Sequence, residues 1–220
     1  MLQRLKARIL KDRILVHKYS LLFTYGMAHS FLYFTRLFNL ISDKEGDIVE
    51  CGVGQGETLF QLCCLAKDEG RQRKVFGFDS FQGLPKPTIE DESERNFKQG
   101  DVCHSIKDVQ FFLRQSGLEY YFVREQLTLI KGYFKDTLVH YNGKIALLHI
   151  DVDLYQSYND VFACLYEKVI PGGVIMLGEY FNTDEFLKCP GAKKAIDEYL
   201  GVDKIKRDKI SGRYYYIKGA

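Results

Sequence analysis

The chain predicts an open, mostly parallel α/β sheet with helices on both faces, and three observations carry that reading. The stretch Asp47–Glu57 runs from a short apolar strand through three alternate glycines, Gly52, Gly54 and Gly56, into a helical run that starts at Thr58. A glycine-rich turn between strand and helix is where such sheets bind nucleotide-like ligands, because glycine lets a ligand touch the main chain. Asp79 ends the next strand, Lys74–Asp79, and a carboxylate about 20 residues past the turn is placed to accept hydrogen bonds from ribose hydroxyls. Lys144–Asp151 is a near-continuous apolar run, as the buried centre of a parallel sheet requires.

The elements follow in order. Residues 1–19 are basic and helical in pattern, with a rough apolar stripe through Leu2, Leu5, Ile9 and Ile14. They read as a cap helix with a solvated face or as a contact in a homodimer, with a membrane-surface helix as the sharper alternative. Tyr19–Ile41 is rich in aromatic rings and is expected to pack over the glycine turn and shape an acceptor pocket, most of its rings being core. After Asp79, a glycine and two prolines make Ser80–Pro87 a loop, and the acidic run Glu90–Glu94 reads as a solvated surface or as a lid. Ser105–Ser116 has helical spacing, with Ser105 and Asp108 as an N-terminal cap pair. Leu127–Gly132 is the third strand and Lys144–Asp151 the fourth; His149 shares a face with Asp151 and reads first as a buried structural histidine. A helix over Ser157–Lys168, a strand over Val174–Leu177, a helix over Gly191–Leu200 and an antiparallel pair, Lys204–Asp208 with Arg213–Ile217, complete the chain.

Composition narrows the function. With 220 residues a single domain with a sizeable core is the default. A net charge of +2 argues against a dedicated nucleic-acid binder. The six cysteines form no C-x-x-C pair, which argues against structural zinc and for a reduced, cytoplasmic protein. No signal peptide pattern and no uncharged run of about 18 residues is present, so no transmembrane segment is expected.

The glycine turn separates two ligand classes. Dinucleotide enzymes use G-x-G-x-x-G, and here the last position is Glu57. An acid, Glu50, followed by G-x-G-x-G resembles motif I of the class I methyltransferases that use S-adenosylmethionine, whose ammonium suits a nearby carboxylate. Five ordered blocks sharpen the resemblance: the stretches starting at Glu50, Phe78 and Lys131, then His149–Tyr155 and Pro171-Gly-Gly-Val-Ile. Over roughly residues 45–200 they resemble the macrocin O-methyltransferase family of antibiotic and sugar tailoring enzymes. The resemblance implies a Rossmann-like class I methyltransferase fold, with a seven-stranded sheet, a helical cap segment over 1–45 and an S-adenosylmethionine-dependent domain over 46–220. It implies O-methylation of a hydroxyl on a sugar or other small natural product. It assigns the cofactor to Glu50, Gly52, Gly54, Gly56, Asp79, Ser80, Phe81, Gly132 and Tyr133. Many members use magnesium, with ligands matching Asp151 and an acid pair at the end of the next strand. In this chain that pair is Gly178-Glu179, so Asp151 and Glu179 remain as metal ligands and one carboxylate is missing.

Asp151 is the expected general base for the acceptor hydroxyl. Asp151 and Asp153 could instead only cap the helix that follows. Two rival functions stay open at this point: a non-catalytic S-adenosylmethionine-binding scaffold and an NAD-dependent oxidoreductase.

Overall fold

The computed structural model describes residues 25–180 and 188–219. The expected basic helix over 1–19 and the start of the aromatic segment lie outside the described residues. Seven strands form one sheet in the order β3-β2-β1-β4-β5-β7-β6. They are β1 (Asp47–Cys51), β2 (Val75–Asp79), β3 (Leu127–Lys131), β4 (Ile145–Ile150), β5 (Val169–Leu177), β6 (Lys206–Arg207) and β7 (Tyr214–Ile217). The first five run parallel, β7 is antiparallel to β5, and β6 pairs antiparallel with β7. Every residue of β4 is buried, as an apolar central strand covered on both faces should be.

The described helices are α1 (Tyr25–Asn39), α2 (Glu57–Glu69), α3 (Ile106–Gln115), α4 (Tyr120–Gln126), α5 (Phe134–Thr137), α6 (Tyr155–Leu165) and α7 (Pro190–Leu200). Residues of α1 to α4 pack with Ile48, Leu147 and Met176 on one face of the sheet. Residues of α6 and α7 pack with Val49, Leu148 and Ile175 on the other. The strand period of two sorts neighbouring residues of β1, β4 and β5 between these cores. Ser105 caps α3 as expected, accepting from the Asp108 amide and donating to its carboxylate. Buried Arg73 fastens the layer at the lower end of β1. It pairs with Glu69 and donates to the carbonyls of Ile41, Lys44 and Gly46.

Three expectations need correction. Pro171-Gly-Gly lies inside β5, where the pairing slips from Ile145–Val169 to Leu147–Val174. Proline and glycine mark an irregularity there, as they do when a strand interior must bend. The helix α4 went unforeseen, since Tyr120 and Tyr121 are exposed and blur its apolar period. Helix α1 does not shape the cleft described below. Its Tyr33 hydroxyl donates to the Tyr214 carbonyl and its Phe34 meets the His149 ring edge-on, so it seals the β4–β7 part of the sheet instead. Tyr33, Phe34 and Phe38 are core, as foreseen.

Candidate active site

The chain leaves β1 toward β2 and β3 and returns through β4, so strand direction of growth reverses between β1 and β4. Open α/β sheets bind ligands in the crevice beyond the carboxyl ends of the strands at this switch point. A cleft of about 760 Å³ lies there, walled by the glycine turn, the ends of β2, β4 and β5, the loop after β2 and the start of α5.

The glycines of the turn differ in purpose. A Cβ on Gly52 would lie 1.8 Å from the Asp151 carbonyl oxygen, so only glycine lets β1 and β4 leave the sheet side by side. Gly54 has φ +54 and nothing within 4 Å of where a Cβ would stand, which leaves its main chain open to the cleft. Gly56 begins α2 and faces Val109 of α3, away from the cleft. Asp79 braces the turn: one carboxylate oxygen accepts from the Val53 and Gly54 amides and the other from the Phe81 amide. The same carboxylate lines the cleft, and the oxygen that accepts from Phe81, Oδ1, has a further lone pair to offer.

Beneath the turn, Glu50 is 0% exposed. Its Oε1 shares a 2.9 Å hydrogen bond with His149 Nδ1, and its Oε2 has no partner among the described residues. Burial, with Asp151 and Asp79 nearby, raises the Glu50 pKa well above the usual carboxylate range. Burial likewise lowers that of His149. Both shifts work against charge on this buried pair.

Asp151 and Glu179 meet at the rim. Burial pushes the Asp151 carboxyl up to about 6; His149 opposes the shift, and Glu179, which shares a hydrogen bond with it, adds to it. Gly178 is the floor under Asp151: a Cβ there would lie 2.7 Å from Asp151 Cγ and Oδ1. The space of the missing acid's stem is therefore already filled. Asp153 adopts a left-handed φ of +59. Burial pushes its carboxyl up to about 6 as well, and Asp151 adds to this while Arg95 opposes it. Cys189 Sγ stands 3.0 Å from Glu179 Oε2 and 3.7 Å from Asp153 Oδ1. Arg95 Nη1 lies 3.5 Å from Asp153 Oδ1 and 3.6 Å from Cys189 Sγ.

Of the expected site residues, Gly52, Gly54, Asp79, Ser80, Tyr133, Asp151 and Glu179 line the cleft. The wall does not include Glu50, Gly56, Phe81 or Gly132. Glu50 is sealed under the turn, Phe81 is buried in the α1–α4 core, and Gly132 donates its amide to the Asp79 carbonyl with Thr137 against its Cα. The Ser80 hydroxyl is spent on its own loop, donating to the Gly83 carbonyl and accepting from the Gln82 amide.

The reading of the acidic run as wholly solvated is corrected at Asp91, which is 5% exposed. Its Oδ2 accepts from the Thr88 amide and hydroxyl and its Oδ1 from the Tyr155 amide at the start of α6. Neither Asp151 nor Asp153 caps that helix; Leu154 is its N-cap and Asp91 supplies the acceptor. The loop is thereby clamped to the rim, and Gly191 leaves no room for a side chain between it and α7. Asp91, Arg95 and Cys189 escaped sequence reasoning. The only signal was a lone arginine after four acids in five residues, Glu90 to Glu94.

The site can be tested for fit against the two ligand classes. In a dinucleotide enzyme the pyrophosphate sits at the N-terminus of the helix after the turn. Here the first residue of that helix is Glu57, it lines the cleft, and its charge opposes a pyrophosphate. An open glycine main chain, Asp79 and a surplus of carboxylates fit a ribose joined to a cationic group.

Comparisons with known proteins agree. A family model described as macrocin-O-methyltransferase (TylF) matches residues 38–211. A demethyldecarbamoylnovobiocin O-methyltransferase of Streptomyces niveus is 32% identical over 189 residues, spanning 78% of this chain and 68% of that protein. A mycinamicin III 3''-O-methyltransferase of Micromonospora griseorubida is 28% identical over 186 residues, spanning 79% of this chain and 70% of that one. Among solved structures, the O-methyltransferase NovP superposes with a TM-score of 0.70 at 27% identity, covering 87% of this chain and 80% of its own. A calicheamicin methyltransferase superposes with a TM-score of 0.77 at 22% identity, covering 99% and 91%, which speaks for the fold.

Proposed function

This chain belongs to the macrocin O-methyltransferase family, and from that premise we propose that it methylates a hydroxyl of a sugar or sugar-bearing small natural product, with S-adenosylmethionine as donor. The observation that carries the reading is the cleft at the β1–β4 switch point, with the open main chain of Gly54 at one end and Asp151 at the other. Residues 46–220 form the catalytic unit and residues 1–45 its cap.

Bound in this cleft, the cofactor supplies an electrophilic methyl group that is activated by its own sulfonium charge. Gly52 and Gly54 offer main chain to it, Asp79 accepts from its ribose, and Tyr133 flanks the nucleoside end. Glu50 and His149 act from below the floor by holding the turn in shape. The acceptor hydroxyl is a poor nucleophile until it loses its proton. Asp151 takes that proton: with its pKa near 6 it is ionised at neutral pH yet more basic than an ordinary carboxylate. The acceptor oxygen would then take the methyl group as its bond to sulfur breaks, and the Asp151 carboxylate would be left protonated and neutral. Alignment of the two partners supplies much of the rate.

Magnesium fits this rim poorly. It prefers a near-octahedral shell of oxygen ligands. Gly178 removes one carboxylate, Asp151 fills the space above it, and the remaining donor cluster of Asp153, Glu179 and Cys189 includes a thiol. The relatives' names speak of sugar-bearing antibiotics, and that class supplies the first acceptors to try. The test is transfer of labelled methyl to a panel of free, nucleotide-linked and aglycone-linked deoxysugars. A labelled O-methyl product supports the reading, and cofactor binding without transfer to any member favours the scaffold alternative.

A further inference from the structure

The rim of the cleft carries three carboxylates, Asp151, Asp153 and Glu179, and one guanidinium among the side chains that wall it beside them, Arg95. Three contacts hold that guanidinium. Asp153 Oδ1 is 3.5 Å from Nη1, Cys189 Sγ is 3.6 Å from it, and the Phe97 ring lies 4.5 Å beneath Cζ. The loop that carries Arg95 is fixed four residues earlier by Asp91, so the side chain projects from an anchored segment. Its side chain is still 43% exposed, toward the cleft it lines.

We propose that Arg95 is a catalytic residue that supplies, as a built-in cation, the positive charge at the acceptor oxygen, and that its guanidinium excludes a divalent ion from this rim. The inference rests on the methyl-transfer reading above and deepens it. As Asp151 removes the acceptor proton, negative charge gathers on the acceptor oxygen between two other carboxylates. The donor's own positive charge offsets part of it, and a fixed cation beside these carboxylates offsets more. A metal would need the donors that Gly178 removes and that Arg95 already engages. Arginine is charged at every accessible pH and carries five N–H donors, so it can hold Asp153 and still donate to an acceptor oxygen. Asp153, whose backbone is left-handed, meets both Arg95 of the loop and Cys189 beside α7 through its Oδ1.

The experiment compares the wild type with Arg95→Gln and Arg95→Lys, each first shown to be folded and to bind S-adenosylhomocysteine with unchanged affinity. Wild-type turnover is expected to be indifferent to EDTA and to added magnesium. Arg95→Gln should lose about 10²-fold in kcat, the loss typical of one preorganised charge-stabilising group, with partial rescue by added guanidinium ion, and Arg95→Lys should lose less. A second arm needs no acceptor: Mn2+ is titrated in and its free signal followed by electron paramagnetic resonance. The wild type should leave Mn2+ free, and Arg95→Gln should take it up at the bared carboxylates. Wild-type turnover that EDTA abolishes and magnesium restores overturns the inference, as does Mn2+ uptake by the wild type or by neither protein. A wild type that binds no S-adenosylhomocysteine defeats the methyl-transfer reading instead, and the Mn2+ arm still decides who holds the rim.

Discussion

Asp151→Asn should make the protein less active and more stable, and the gain in stability should depend on pH. The folded protein holds the Asp151 proton more tightly than the unfolded chain, because its pKa rises from 3.8 to about 6 on folding. Stability associated with this group is complete below 3.8, declines as pH rises through the window to 6, and stays low above it. The displacement corresponds to about 3 kcal/mol held against folding once Asp151 ionises, an upper bound for so buried a group with charged neighbours. Asparagine is neutral, of the same shape, and can donate to Glu179. At about pH 7.5 the variant should therefore gain up to about 3 kcal/mol, and by about pH 5 the gain should fall to about half. For a chain of this size the upper bound is a rise of about 6–10 °C in Tm. Urea unfolding of both proteins at the two pH values is the assay, alongside turnover. A variant that is less stable than the wild type, or whose advantage is the same at both pH values, would refute the argument that burial strains this carboxylate.

Further outcomes follow from other contacts. Gly178→Ala should cost about 1–3 kcal/mol in urea unfolding, since its Cβ would lie 2.7 Å from the Asp151 carboxyl; a neutral effect would mean that Asp151 is free to move aside. Arg73→Met should cost about 3–5 kcal/mol, because it takes the buried partner from Glu69, which keeps Arg71 at 3.6 Å, and removes the donor that serves the Lys44 and Gly46 carbonyls. His149→Leu should cost about 1–3 kcal/mol by leaving both oxygens of buried Glu50 unpartnered, and replacing the second partner as well, with Glu50→Leu, should recover part of that. Asp91→Ala should speed amide hydrogen exchange across residues 86–95 and raise KM for the acceptor, while α2 and β1 exchange as before.

The framework of the site was legible in the sequence because local chemistry writes it. Alternate glycines after an acid-ended strand, an apolar central strand and an Asp at each strand exit place Gly54, Asp79 and Asp151 on one crevice, and all three line it. The departures have equally physical causes. Glu50 lies one residue before the strand ends, and its buried side chain is held by His149, whose ring meets Phe34 edge-on. Phe81 is apolar and its neighbours on α3 are too, so it packs inward and leaves the nucleoside to others. Arg95 and Cys189 stand 94 residues apart and have no period or spacing to announce them. Only the fold brings that thiol and that guanidinium to the same carboxylate, Asp153. Asp91 hid among solvated acids, and its burial depends on the α6 amide and the side-chain-free surface of Gly191.

Calorimetric titration with S-adenosylhomocysteine and, separately, with NAD tests the cleft most directly. The account predicts saturable binding of S-adenosylhomocysteine at one site per chain, lost in Gly54→Val, and no heat from NAD. Binding of NAD, or no uptake of S-adenosylhomocysteine by the folded wild type, would contradict it.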